Sequence, residues 1–233
     1  MAQEYIWDRE YQNSQLLAQS QEPNSEVKKF ITWLRKNDFP LEGKAVLDLG
    51  SGNGKNALYC ASLGAKVIGY EISDTARDAA LRFAKEQKST VEFIKHDIGT
   101  PYTTLADMSI DLVIDCTSSN SLNEAGRSTY FAEVSRVLKP GGYFFVRALC
   151  KEGDTHAKNL IKQHPGAEHD TYRMPEIGLV ERVFSQEDFM TLYGAHFDIL
   201  QLKKVTHYAR FKNQPYKRNY WIAWMRKGQI GQN

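Results

Sequence analysis

The sequence has no apolar run approaching eighteen residues, so no segment is expected to cross a bilayer as a helix. Its first thirty residues hold Glu4, Asp8, Arg9 and Glu10 and no apolar core, so no secretory signal is expected and the chain is read as cytoplasmic. Cysteine is scarce. Cys60, Cys116 and Cys150 are odd in number and lack metal-type pairing, which suits a reducing compartment and predicts no metal site. Neither charge sign dominates. Thirty Lys and Arg oppose 28 Asp and Glu, a net of +2, so charge alone implies no polyanionic partner. Internal repeats and low-complexity tracts are missing. What remains is 233 residues, 42% hydrophobic and 25% charged, enough to bury the core of one large domain.

The apolar pattern begins after a polar segment, residues 1–24, which holds Tyr5, Trp7 and Tyr11 and is too polar to predict a regular helix. Pro23 and Ser25 open a helix with Val27, Phe30, Ile31 and Leu34 on one stripe. Strands and helices then alternate. KAVLDLG (44–50) is a continuous apolar run, as in a parallel strand covered on both faces. Asn56–Leu63 is helical, and KVIGYE (66–71) is a strand. Ser73 caps a helix to about Gln87. VEFIKHD (91–97) and DLVIDC (111–116) are strands. A helix over 126–138 stops at Lys139-Pro140-Gly141-Gly142, before the strand YFFVRAL (143–149). This order predicts an α/β fold, a doubly wound and mostly parallel sheet with helices on both faces. Residues 150–183 break the pattern and are mixed and polar. Ser185 and Asp188 fit a capping box for a last helix, and residues 198–208 and 216–226 read as a long antiparallel hairpin at one edge.

In such sheets ligands sit beyond the carboxyl ends of the strands, and the first strand–helix turn is VLDLGSGNGKN (46–56). Gly50, Gly52 and Gly54 give G-x-G-x-G, but the position of the last glycine in a dinucleotide fingerprint is Lys55. The spacing also fails a P-loop. Asp48, just before the turn, is a poor neighbour for a pyrophosphate and a good one for an ammonium. Glu71 ends the second strand, where a carboxylate can accept from both ribose hydroxyls. Asp97 ends the third, where an adenine amino group can be met. The implied ligand has an ammonium, a ribose and an adenine, and no phosphate.

VLDLGSGNG, the acids in VIGYEIS and KHDI, the run DLVIDC and the stretch VLKPGGYFFV together resemble class I S-adenosylmethionine-dependent methyltransferases over residues 44–149. The resemblance implies a Rossmann-like, seven-stranded sheet with a reversed C-terminal edge strand, and S-adenosyl-L-methionine as cofactor. It implies that Gly50 and Gly52, with Ser51 and Asn53, let the backbone approach the methionine end, which Asp48 helps to position. Glu71 with Ile72 takes the ribose, Asp97 and Ile98 flank the adenine, and Asp115 and Cys116 line the cofactor near its methyl group. The start of the chain is similar to that of tellurite- and thiol-type small-molecule methyltransferases. One domain is expected, with an N-terminal lid and helix (1–40), a cofactor-binding core (44–149), a substrate cap (150–183) and a C-terminal helix and hairpin (184–227).

A sulfonium is already electrophilic, so no catalytic dyad is required and none is identified. After the fourth strand the chain reads CTSSNSLN in place of the N-P-P-Y motif of amide and base-amine methylation. Candidate acceptor contacts are Tyr5, Trp7 and Tyr11 as a lid, Ser118, Ser119 and Asn120 in the loop, Arg147, Glu181, and His169 as a base beside Asp170. Each has a plain structural alternative: terminal packing, a hydrogen-bonded turn, an ordinary ion pair or a surface charge. After Asp198 the chain has no further acid and eight basic residues, Lys203, Lys204, Arg210, Lys212, Lys217, Arg218, Arg226 and Lys227, among aromatics. That composition fits a single-stranded nucleic acid surface, or an edge hairpin protected by lysine; the second is preferred. A small-molecule acceptor is therefore expected ahead of RNA or a protein side chain. A cofactor-binding module without catalysis stays open, and oligomeric state is not specified.

Overall fold

A computed structural model describes residues 3–14, 20–211 and 214–229, and backbone only over 209–211 and 214–215. The chain forms α1 (Glu4–Gln12), α2 (Ser25–Lys36), β1 (Ala45–Leu49), α3 (Lys55–Ser62), β2 (Lys66–Glu71), α4 (Asp74–Glu86), β3 (Glu92–Lys95) and β4 (Ile110–Cys116). A single 3-10 turn (Ser119–Ser121) precedes α5 (Glu124–Val137) and β5 (Leu138–Leu149). Then come α6 (Thr155–Gln163), β6 (Thr171–Arg173), β7 (Val180–Arg182), α7 (Gln186–Gly194), β8 (Asp198–Phe211) and β9 (Gln214–Arg226). Seven strands make one sheet in the order β3-β2-β1-β4-β5-β9-β8. Neighbours from β3 to β5 pair in parallel, and β9 pairs antiparallel with both β5 and β8. The reversed C-terminal strand thus sits one place in from the edge, with β8 outside it. No helix of the described residues is long and apolar enough to cross a membrane.

Strand parity sorts the core. Val46, Leu112, Ile114 and Phe145 point to the face covered by α2, α3 and α4, while Leu47, Val113, Phe144 and Val146 point to the face covered by α5 and α7. Both faces are buried, so these strands read as continuous apolar runs rather than alternating ones. On the first face Phe30 is fully buried among Trp33, Tyr143, Phe145 and Trp224, with ring centroids 5.3–6.4 Å from its own.

Three expectations are corrected. The N-terminal segment does form a helix, α1. Ile6 and Trp7 pack on the core, and polar contacts fasten the helix beside them: Asp8 accepts from Ser73 Oγ (2.8 Å) and the Thr75 amide (2.9 Å), and Glu4 pairs with Lys95 (2.7 Å). Hydrophobic periodicity carries no trace of such docking. Residues 150–183 are also more ordered than their composition suggests. They hold α6, capped by the Asp154 side chain on the Ala157 amide, and the β6–β7 hairpin. At α7 the Ser185 hydroxyl does accept from the Asp188 amide, but the Asp188 carboxylate pairs with Arg182 (2.7 Å), so the reciprocal half of the capping box is not used.

Phe30→Ala is expected to cost about 3–5 kcal/mol, which lowers the thermal midpoint by roughly 6–20 °C for a domain of this size. Tyr5→Ala, at a side chain 74% exposed, should stay within about 0.5 kcal/mol of the parent. Thermal unfolding of the two variants checks both values.

Candidate functional site

Above the carboxyl ends of the strands lies a cavity of about 660 Å³. Its floor at one end is the turn after β1. Gly50, Gly52 and Gly54 all have positive φ (64°, 57° and 81°), which only glycine adopts without strain. A Cβ at Gly50 would strike the Ser118 hydroxyl, and one at Gly52 would strike the Tyr11 hydroxyl. The loop is drawn toward β2 by Glu71. One carboxylate oxygen accepts from the Gly52 amide (2.7 Å) and the other from the Ser73 amide (2.8 Å).

Carboxylates dominate this end. Asp48 is buried and its Oδ2 has no hydrogen-bond partner. Burial pushes its carboxyl up to about 7; the Ala57 amide pulls the other way, and the charges of Asp115 and Glu71 reinforce the rise. Burial also raises Glu71, against the amides that hydrogen-bond it. Asp97 accepts from the Gly99 amide (2.8 Å). A phosphate would add a further negative charge here, whereas an ammonium would offset the buried, unpartnered oxygen of Asp48.

The turn residues Gly50, Ser51, Gly52 and Asn53 line the cavity, and so do Glu71, Ile72, Asp97, Ile98 and Cys116. Asp48 lies beneath the loop rather than on the cavity wall. Asp115 is not on the wall. It shares parity with Val113 and Val146, so it faces α5, where it accepts from Tyr130 Oη (2.6 Å) and the Ser118 amide (2.8 Å). Its work is to shape the loop after β4.

The lid expectation divides along α1. Gln3, Trp7 and Tyr11, four residues apart on one helix face, line the cavity. Tyr5 is on another face, exposed, under the Arg9 guanidinium. Gln3 ties the helix across the cavity: its Nε2 donates to the carbonyls of Ser121 (2.7 Å) and Val180 (2.8 Å), and its Oε1 accepts from the Val180 amide (2.7 Å).

At the far end the wall comes from β4, β5, β9 and the β6–β7 hairpin. Arg147 and Glu181 are both on it. Ser119 and Asn120 are buried away from it: Ser119 lies against Tyr193 Oη (3.3 Å), and Asn120 Oδ1 accepts from the Leu149 amide (3.2 Å). His169 is three-quarters exposed. It lies 3.3 Å from Asp170, whose carboxylate is held by Lys151 (2.6 Å), so it reaches solvent rather than the cavity. Ser119, Asn120, His169, Tyr5 and Asp115 are thus corrected as cavity contacts.

Sequence reading missed Gln3, Tyr216, Arg218 and Tyr220 as lining residues. Arg218 belongs by sequence to the basic run of the C-terminal hairpin, yet it is 3% exposed, paired with Asp154 (3.1 Å) and donating to Tyr172 Oη (2.9 Å). Tyr172 in turn donates to Glu181 (2.7 Å). The available signal was parity: residues 218, 220, 222 and 224 share the inner face of β9. Of the other basic residues in that run, Arg226 and Lys227 bond nearby carbonyls and Lys203, Lys204 and Lys217 are exposed. Lys212 and the Arg210 side chain lie outside the described residues.

Residues 47–146 match the family model described as a methyltransferase domain. An uncharacterized methyltransferase of Schizosaccharomyces pombe is 33% identical over 108 residues, 46% of this chain and 72% of that one. Two solved structures share the fold. A SAM-dependent methyltransferase from Methanosarcina mazei has a TM-score of 0.69 at 22% identity, covering 84% of this chain and 97% of its own. The 1,6-didemethyltoxoflavin-N1-methyltransferase of Burkholderia thailandensis, solved with 1,6-didemethyltoxoflavin and S-adenosylhomocysteine bound, has a TM-score of 0.63 at 16% identity, covering 88% and 79%.

Asp48 generates a pH prediction. Its folded value lies above that of an unfolded aspartate, so the free protein loses this contribution to stability as pH rises through about 7. An ammonium held against Asp48 requires the ionised form, so the proton must leave on binding. S-adenosylhomocysteine is therefore expected to bind about tenfold more weakly at pH 6 than at pH 8. Asp48→Asn should flatten that dependence. Calorimetric titrations at the two pH values check it.

Proposed function

The chain belongs to the class I S-adenosylmethionine-dependent methyltransferase family, and from that premise we propose that it methylates a small-molecule acceptor held beneath α1 and the β6–β7 hairpin. The observation that carries this reading is one continuous cavity with the glycine turn and Glu71 at one end and Arg147, Tyr220 and Glu181 at the other. At about 660 Å³ it falls within the roughly 300–1,000 Å³ usual for small-molecule pockets. Its roof is the helix α1, tied down at both ends of its span.

The fit to the cofactor rests on three features of the chain. Asp48 leaves a buried oxygen without a partner, which suits the amino group of a methionine moiety. Gly50 and Gly52 line the cavity, and their positive φ lets the turn pass close under the Ser118 and Tyr11 hydroxyls, where a Cβ would clash. Glu71 lines the cavity with its carboxylate held by backbone amides, an oriented acceptor that suits a ribose hydroxyl. When bound, the cofactor supplies a methyl carbon on a sulfonium, open to in-line displacement with the bonding pair left on sulfur. The residues here bind and orient the reactants and exclude water, a contribution of up to about 7–11 kcal/mol in well-aligned systems. Glu181, on the acceptor side and held by Tyr172, is placed to take a proton from an acceptor that arrives protonated. Cys116 lies beside this path, but burial raises its thiol, which argues against a thiolate nucleophile.

A nucleic acid acceptor has less support, because among the described residues several basic side chains of the hairpin are engaged within the protein. Arg218 is turned into the cavity wall and Arg226 and Lys227 are engaged with nearby carbonyls.

Glu71→Gln should weaken S-adenosylhomocysteine binding by about tenfold, since a charged acceptor is replaced by a neutral one. It should also lower the ligand-free thermal midpoint by roughly 2–12 °C, because the glutamine NH2 would face one of the two buried amides that Glu71 now accepts from. Methyl transfer from labelled S-adenosylmethionine to a panel of small oxygen, nitrogen and sulfur nucleophiles tests the activity. Turnover on RNA or protein alone would replace this reading, and robust cofactor binding without turnover on any acceptor would reduce it to a binding module.

A further inference from the structure

We propose that the methyl acceptor carries an anionic oxygen group, a carboxylate or phosphate, on an otherwise largely apolar body, and that Arg147 receives it. The proposal rests on the methyl-transfer reading above and names its substrate class. Arg147 projects from β5 at the register of Cys116, on the same sheet face, and lines the cavity. Its guanidinium carbon lies 3.5 Å from the centroid of the Tyr220 ring, so the plane is fixed by stacking. Nη1 donates to Thr117 Oγ1 (2.9 Å). Nε is buried and has no partner. Among the described residues no carboxylate lies within 4.0 Å of Arg147. The neighbouring cations differ. Arg218 has Asp154, Arg182 has Asp188, and Arg127 has Glu168 at 3.9 Å.

The anchor of this guanidinium is itself strained. Thr117 has φ +72°, a left-handed conformation that a β-branched residue rarely takes. Such strain persists where the surroundings over-determine it and clusters at ligand sites. Here it holds a hydroxyl against one end of the guanidinium and leaves the other donors, a planar fork, for a ligand. Leu149, Met174, Trp7, Tyr216 and Tyr220 supply an apolar and aromatic surround.

The rival occupant is the cofactor's own carboxylate. Sheet order argues against it: β5 lies two strands from β1, roughly 10 Å at the usual strand spacing, on the side away from Glu71.

The test is calorimetric titration of the full chain, free and loaded with S-adenosylhomocysteine, with benzoate, phenyl phosphate and benzamide. At least one of the two anions is expected to bind about 10- to 100-fold more tightly than benzamide, and which one does so separates carboxylate from phosphate. Arg147→Gln should abolish the preference and leave S-adenosylhomocysteine affinity within about twofold. Arg147→Lys keeps the charge without the fork, should retain an intermediate preference, and serves where the glutamine variant does not fold. Absence of binding by either anion, equal binding of benzamide, or a preference that survives Arg147→Gln overturns the proposal. So does a tenfold loss of S-adenosylhomocysteine affinity in that variant, which would assign Arg147 to the cofactor. Failure of the parent protein to bind S-adenosylhomocysteine, with the anion preference intact, would overturn the methyl-transfer reading and leave the Arg147 assignment standing.

Discussion

The Glu71 carboxylate bridges two amides, Gly52 on the glycine turn and Ser73 at the cap of α4, and that bridge fixes the geometry on which the cavity depends. It closes the turn over β2, orients the loop and leaves a second buried carboxylate, Asp48, unsatisfied beneath it. Burying a carboxylate without a partner is costly, and the protein responds by holding Asp48 partly protonated near neutral pH. The site is thus prepared for a cation before any ligand arrives.

The lid follows from the same region. Asp8 accepts from Ser73 and Thr75, so α1 is fastened to the cap of α4, one residue pair away from Glu71. From there the helix lays Tyr11 over Gly52, and Gln3 reaches the β6–β7 hairpin. The turn, the lid and the cap are therefore connected by short polar contacts, with Ile6 and Trp7 of the lid packed on the core beside them. The cavity enclosed in this way has its far wall set by the parity of β4, β5 and β9.

Much of this was legible in the residues. Both-face burial made the strands continuous apolar runs, and the glycines and strand-end acids marked where the ligand-facing turn would fall. What stayed hidden has physical causes. Asp115 reads as a strand-end acid like Asp48, but it lies at the opposite parity and turns to α5. The helix α1 is held by Asp8, Glu4 and Gln3 through partners 65 to 177 residues away, which no local pattern reports. Arg218 looked like part of a basic surface because its partner, Asp154, is 64 residues distant and buried. Composition describes how many charges there are, and only the fold pairs them.

The central claim is that the turn after β1 holds an ammonium over Asp48 and not a phosphate. The most direct measurement compares the affinity of S-adenosylhomocysteine with that of its analogue lacking the amino group, on the parent protein and on Asp48→Asn. The account predicts that removing the amino group costs the parent at least about tenfold and costs the variant little, since the two losses share one interaction. Equal affinity of the parent for both ligands, or tight binding of NADH in their place, would contradict it.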